Sequence, residues 1–314
     1  MIPNRERAGG AGGGEGARWR LVLGTVAFAV WAPPSLAGLP LVALLFVARL
    51  RSSAEWVTAI VVAGPSVGLL LLPGGDLLTG VVRAYVVLVA AAFALLTRFS
   101  GGDAAFLPRA LRASLVAGLA VVALASAALG GSVWSTLHWE ATRAASATMR
   151  LLVEREPRTF PLFDAVVRFT SDTIPATLAL QTLAGLALAW QWHRRVATTP
   201  LEPSLAPFRE FRFADSWVWA VIISLGVVIA PVVAALKLAA LNVLVVLGAL
   251  YLVRGLAIVV AFSGAWGIAP VVLVIAGTIA AALAVPLVLL VPGLATLGVT
   301  DTWLEFRRRL KAPA

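Results

Sequence analysis

The sequence predicts an all-α, polytopic transmembrane helix bundle with about eight or nine membrane segments. Only 13% of the 314 residues are charged, against roughly 25% in an ordinary soluble domain. The mean hydropathy is +0.96, and apolar stretches of about 20 residues, long enough to cross a bilayer, recur along the chain. Because a soluble fold of this size could not bury so much apolar surface, we expect the lipid bilayer to surround most of the polypeptide.

Composition also narrows the possible functions. The chain has no Cys, and its two His residues, His138 and His193, are far apart in sequence. We therefore predict no disulfide, no metal site and no cofactor. The net charge of +10 comes mainly from Arg at the ends of apolar runs, where Arg orients a membrane protein and contacts anionic lipid. Nucleic acid is accordingly not predicted as a partner.

The first elements are a tail and a membrane helix. Residues 1–17, with the run GGAGGGEG, are predicted to be a disordered tail. Residues 18–304 then form the transmembrane domain. Its first apolar run, 20–33, resembles a secretory signal, but we favour an uncleaved helix because further membrane segments follow at once.

The remaining spans follow from the apolar runs. The first two are short and are expected to form a broken pair around APPS, whereas the last is long and contains two Pro residues, so it should be kinked or re-entrant. The predicted spans are 20–33, 37–50, 55–73, 78–98, 108–130, 173–194, 215–236, 239–262 and 268–298.

Arginine placement predicts the orientation in a cell inner membrane. Alternating spans place most Arg clusters, including those of loop 195–214, on one side, which is then the cytoplasm. The loop 131–172 on the opposite, exported side has five Arg and five acids. The N-terminus and the basic tail, 305–314, should both be cytoplasmic. A single pass through 268–298 would put the tail outside, so that region crosses twice or an earlier boundary is misplaced, for example by a break at Arg254-Gly255.

The exported loop contains an amphipathic pattern. Apolar residues recur at three- and four-residue steps, with charged residues on the other face, and the helix should stop before Pro157. It either lies on the outer membrane surface or forms a lid over a cavity. The apolar positions are Trp134, Leu137, Ala141, Ala145, Met149 and Leu152.

The stretch PFREFRFADSWVWA, 207–220, combines aromatic and charged residues on the cytoplasmic side. One interpretation is that the Phe side chains enter the headgroup boundary, the Arg side chains contact phosphates, and Asp215 or Ser216 caps the next helix. The other is a loop that docks a partner. The candidate interface residues are Phe208, Arg209, Phe211, Arg212 and Asp215.

Polar side chains within apolar runs are the best candidates for a binding site, because they are costly in hydrocarbon unless paired. Arg254 is the clearest case. It either snorkels from a helix end, or faces a cavity where it binds an anionic solute or pairs with a distant carboxylate. Asn242, Tyr251 and Gln181 are further candidates for substrate binding. No catalytic grouping is present, so the protein is predicted not to be an enzyme.

Three fragments resemble the YybS-like family of uncharacterised bacterial multispanning membrane proteins, a domain of unknown function. They are PFREFRFADSWVWA (207–220), LNVLVVLGALYLVRGLAIV (241–259) and LGVTDTWLEFRRRLK (297–311). The family is distantly similar to the substrate-binding subunits of energy-coupling-factor transporters. That similarity implies a helical bundle with a solute cavity and with membrane or ATPase partner subunits.

Three functions follow. The first hypothesis is a protein that binds or transports a small solute as a transporter-subunit-like protein. The alternative is a non-catalytic membrane scaffold in envelope assembly or cell division. A membrane-embedded enzyme is the least favoured, because the chain lacks acids and His at depth.

Overall fold

The computed structural model describes residues 34–99, 105–130, 133–199, 201, 205–283 and 285–306. These residues form helices and no strands, which confirms the predicted fold class. The chain divides into two compact units, residues 1–137 with 181–204 and residues 138–180 with 205–314. The predicted tail 1–17, the predicted span 20–33 and residues 307–314 lie outside the described residues.

The first described element of the first unit is a short π-helical turn, Pro34–Gly38, which is followed directly by α1. Helix α1 has ten residues and is about 15 Å long, too short to cross a bilayer alone. Three longer helices follow, each within two residues of a predicted span. The helices are α1 (Leu39–Ala48), α2 (Ser53–Leu71), α3 (Leu77–Phe99) and α4 (Phe106–Leu129).

Aliphatic side chains form the core of this unit, together with the C-terminal part of α7, Ile174–Val196. Leu41, Val62 and Ala189 belong to one buried cluster. Gly185 allows α7 to approach the π-helical turn, because a Cβ at this position would collide with the backbone carbonyl oxygen of Leu36.

The second unit contains most of α5 and all the helices after residue 205. Helix α5, Val133–Arg155, is followed by a 3₁₀ turn, Pro157–Leu162, and by α6, Phe163–Asp172. A second 3₁₀ turn covers Phe208–Glu210. The later helices are α8 (Trp217–Ile229), α9 (Ala234–Ala265), α10 (Pro270–Leu283) and α11 (Val285–Leu304).

Helix α5 confirms the predicted helix in loop 131–172, which ends before Pro157 as expected. Ala141 and Met149 are buried, in agreement with the predicted apolar face. Trp134 and Leu152 were assigned to the same face but are about half exposed, because they lie near the ends of the helix.

Among the described residues, four helices are long and apolar enough to cross a membrane: α2, α3, α4 and α9. The segment Pro157–Asp172 and helix α7 form a pair bent by 65° that would count as a fifth span. The predicted eight or nine crossings are therefore not confirmed. The difference arises because several predicted spans consist of short helices.

One predicted span is divided, for an identifiable reason. Within the predicted span 215–236, helix α8 ends at Ile229 and helix α9 starts at Ala234. Pro231 lies in this gap, where it has no N–H to donate and disfavours helix in the preceding residue. The span 268–298 covers α10 and most of α11, with residue 284 between them outside the described residues. The suggested break at Arg254-Gly255 is wrong, because α9 continues unbroken through both residues.

Candidate functional site

The second unit contains a buried ionic cluster centred on Arg254, in the second half of α9. The Arg254 side chain is fully buried. Helix α11 lies very close to α9 at this level. A Cβ on Gly255 would collide with the carbonyl oxygen of Leu294, and a Cβ on Gly298 would collide with that of Tyr251. The two glycines let the helix backbones approach, as small residues do in membrane bundles. This packing brings an acid of α11 to Arg254.

Two carboxylates bind the Arg254 guanidinium. Nε donates a hydrogen bond of 3.0 Å to Oδ2 of Asp301, and Nη2 lies 2.9 Å from the same oxygen. Nη1 donates to Oδ1 of Asp215 at 2.9 Å. Asp301 is also buried, and its Oδ1 accepts from the backbone N–H of Phe306 at 3.0 Å. Arg254 therefore pairs with distant carboxylates, and the snorkelling interpretation is wrong.

The cluster extends from Asp215 to the surface. Arg212 Nη2 donates to Oδ2 of Asp215 at 2.7 Å and lies 3.8 Å from Oε1 of Glu305. Partial burial raises the pKa of the Asp215 carboxyl, but hydrogen bonds from Arg212 and Arg254 outweigh it and hold that pKa below its usual value. The hydrogen bond to Asp215 raises the pKa of Arg212. Asp215 thus ties the loop before α8 to Arg254 of α9, which in turn binds Asp301 of α11.

Aromatic side chains pack around this cluster. The Phe213 ring is 4.9 Å from that of Tyr251, and the Arg254 guanidinium lies 5.6 Å from the Phe213 centroid. Phe211 contacts Phe213 edge to face at 6.1 Å. Phe213 is buried at 9% exposure, so it belongs to the packed interior of the unit and not to the headgroup boundary.

The beginning of the same loop is exposed. Phe208 is 46% exposed, and the side chains of Arg209 and Glu210 are 66% and 51% exposed. The candidate interface residues therefore separate into two groups. Phe211, Arg212 and Asp215 hold the loop against the unit, whereas Phe208 and Arg209 form its accessible tip. Ser216 holds the N-cap position of α8 without a side-chain cap, and the Asp215 carboxylate is bound to arginines instead.

Asn242 lies on α9 away from this cluster and bridges a helix break. Its Nδ2 donates to the carbonyl of Asp172 at 2.8 Å and to that of Leu238 at 2.9 Å. Its Oδ1 accepts from the N–H of Ala176 at 2.9 Å. The groups of Asp172 and Ala176 lie at the end of α6 and the start of α7, where a helix terminus leaves backbone groups without intrahelical partners. Asn242 thus satisfies backbone groups on both sides of the break between α6 and α7.

The other candidates are distributed differently. Tyr251 is buried beside the ionic cluster, with its hydroxyl facing Thr302. Gln181 belongs to the first unit and is exposed there. Within the second unit the structure therefore brings Tyr251 to Arg254. Solute binding by these residues stays a prediction.

Sequence reasoning missed the acids that complete the site. Neither Asp301 nor Glu305 was predicted as a site residue; Asp301 lies in the fragment 297–311, and Glu305 begins the predicted basic tail. A buried Arg requires a carboxylate. Asp301 is an acid at the end of an apolar run, and this position is the signal that could have identified it as the partner of Arg254. In the first unit Glu55 was also missed: it is buried and accepts from the backbone and hydroxyl of Thr198 at 2.7 and 2.9 Å. The capping box Ser52–Glu55 was its sequence signal.

The cluster holds its own charges in pairs. An anionic solute could contact the Arg254 guanidinium only by displacing Asp215 or Asp301. Among the described residues, no three His, Asp or Glu side chains gather as metal ligands would. The paired charges can therefore fix the position of the loop before α8.

Among known proteins, the chain matches one family. Residues 22–302 match the family described as "Predicted membrane protein (DUF2232)". No curated protein and no solved structure matches the chain.

Proposed function

The chain belongs to this family of predicted membrane proteins, and we propose that it is a non-enzymatic subunit that docks a partner protein through the anchored loop 205–216. The observation that carries the proposal is the division of this loop. Its second half is tied by Asp215 to Arg254, while its tip exposes Phe208 and Arg209. Because Asp215 binds the buried Arg254 and Phe213 is itself buried, we expect the tip to lose less conformational entropy on binding than an unanchored loop would.

The tip predicts the chemistry of its partner. Phe208 fits an apolar pocket, and the exposed pair of Arg209 and Glu210, 3.9 Å apart, fits a polar rim around that pocket. The proposal keeps the predicted inner-membrane location, with both termini and this loop in the cytoplasm. The resemblance to subunits of energy-coupling-factor transporters favours a membrane or ATPase subunit as partner. A scaffold for envelope assembly or cell division would use the same tip with a different protein.

Solute binding remains compatible with this function but is not its basis. Because Arg254 binds two acids of its own chain, an anionic solute would have to compete with both. A ligand assay with Arg254→Ala tests this point, since unchanged binding would exclude a direct role for the side chain.

Site-specific photocrosslinking tests the docking function. A benzoylphenylalanine in place of Phe208, in native membranes, should form an adduct with a protein. The same residue in place of Phe160, which is 68% exposed in another element, is the matched control and should not form that adduct. When Arg254→Met is combined with benzoylphenylalanine at position 208, the adduct yield should fall while membrane insertion is retained.

The adducts distinguish the hypotheses. Mass spectrometry would identify a transporter ATPase or coupling subunit in one case and an envelope or division protein in the other. Adducts with lipid alone would contradict docking and would favour the headgroup interpretation of the loop.

A further inference from the structure

A second surface feature, on α5, is independent of the ionic cluster. Six residues of one helix face line an open groove of about 310 Å³: Trp139, Thr142, Arg143, Ser146, Ala147 and Arg150. The lining contains two arginines and no acid. Its chemistry is therefore that of a site for an anion.

Three side chains give the groove its character. The Arg143 guanidinium stacks on the Trp139 ring at 5.4 Å from the centroid, and Trp139 is 59% exposed. Arg150 lies two turns further along the same face, about 10 Å away along the helix axis. Within the part of the chain that the structure describes, neither guanidinium forms an ion pair. Both arginines therefore keep their donors for a ligand.

The groove also has hydroxyl groups between the arginines. Ser146 lies one turn from each arginine, and Thr142 lies next to Arg143. The Thr142 hydroxyl donates to the carbonyl of His138 at 2.8 Å, so Ser146 is the hydroxyl that is placed to donate to a ligand. A phosphodiester accepts hydrogen bonds and donates none, which matches a lining of guanidinium, hydroxyl and indole N–H donors.

We infer that this groove binds the phosphate of an anionic phospholipid. The lipid source is favoured over a soluble anion because the chain is a membrane protein with apolar surface beside the arginines. Leu151, next to Arg150, is 61% exposed, and Trp139 lies at the other end of the groove. Aromatic and basic side chains side by side are typical of the headgroup level of a bilayer.

Photocrosslinking of lipids tests this inference on the full chain. The chain is placed in phosphatidylcholine nanodiscs that contain a photoactivatable phosphatidylglycerol, or a photoactivatable phosphatidylcholine with the same acyl chains. We expect phosphatidylglycerol to be enriched on the peptide that covers Trp139–Arg150. The double variant Arg143→Gln/Arg150→Gln should lower the apparent affinity for phosphatidylglycerol by roughly 30-fold, since each arginine near the surface contributes about a factor of five.

Arg155→Gln/Arg158→Gln is the matched control. It removes the same charge from exposed positions outside the groove and should leave the enrichment unchanged. Equal crosslinking of the two lipids, or equal loss in both double variants, would overturn the inference. Loss of the crosslink on addition of soluble glycerol phosphate would also overturn it, because the site would then bind a free anion. Size-exclusion profiles establish that each variant is folded.

Discussion

Replacing Arg254 by Met is expected to destabilise the folded chain by about 3–5 kcal/mol, the usual cost of removing one partner from a buried ion pair. Two opposite charges about 4 Å apart attract by about 4 kcal/mol at an effective dielectric constant near 20. Most of the loss should come from Asp301, which stays 3% exposed without its cation. The Asp215 side chain is 38% exposed and can return to water. Met preserves the apolar volume, so a cavity contributes little.

A double variant separates the charge effect from a packing effect. Asp301→Asn removes the buried negative charge while it keeps the oxygen that accepts from the Phe306 N–H. In Arg254→Met/Asp301→Asn we therefore expect more than half of the lost stability to return. The surface variant Arg212→Met, whose side chain is 41% exposed, should cost no more than about 1 kcal/mol.

The assay is reversible unfolding in mixed micelles with increasing SDS, followed by far-ultraviolet circular dichroism. It gives the free energy of unfolding of the wild type and of each variant. The reasoning would be refuted if Arg254→Met lost less than about 1 kcal/mol, or if the double variant were no more stable than Arg254→Met alone.

Three further outcomes are expected. Gly255→Ala should cost about 1–3 kcal/mol in the same unfolding assay, because its Cβ would collide with a backbone carbonyl, whereas Gly248→Ala has open space and should be neutral or slightly stabilising. Asn242→Leu should speed up amide exchange at Ala176, whose N–H it leaves without an acceptor; unchanged exchange would contradict the bridging role. Since the folded pKa of Asp215 is lowered, its contribution to stability should be complete above about pH 4 and lost as the pH falls through the lower folded value; Asp215→Asn should abolish this dependence.

Local features of the sequence predicted the helices well. Apolar runs and their flanking charges gave α2, α3 and α4 within two residues. The capping box at Ser52–Glu55 and the gap at Pro231 also depend on neighbouring residues, although neither was predicted from the sequence. These effects act within one helix turn, so a single sequence contains the information that determines them.

The partners of Arg254 could not be predicted in the same way. The sequence showed that a cation within an apolar run needs compensation. Its two carboxylates, however, are 39 and 47 residues away. The choice among the acids depends on how α11 and the loop before α8 pack against α9. Close approach at Gly255 and Gly298 decides that packing, and periodicity in a single helix does not report it.

The ionic cluster gives a physical meaning to the three fragments that carry the family resemblance. Fragment 207–220 provides Asp215, fragment 241–259 provides Arg254, and fragment 297–311 provides Asp301. Arg254 and Asp301 are buried and would each be costly alone, and the partly exposed Asp215 joins the loop to them, so the three segments stabilise one another when they fold together. The loop is therefore coupled to the apolar helices, and a displacement of its exposed tip would be transmitted to Arg254 through the ion pair with Asp215. A docking loop without buried charges would lack this coupling and would bind a partner without any effect on the helix bundle.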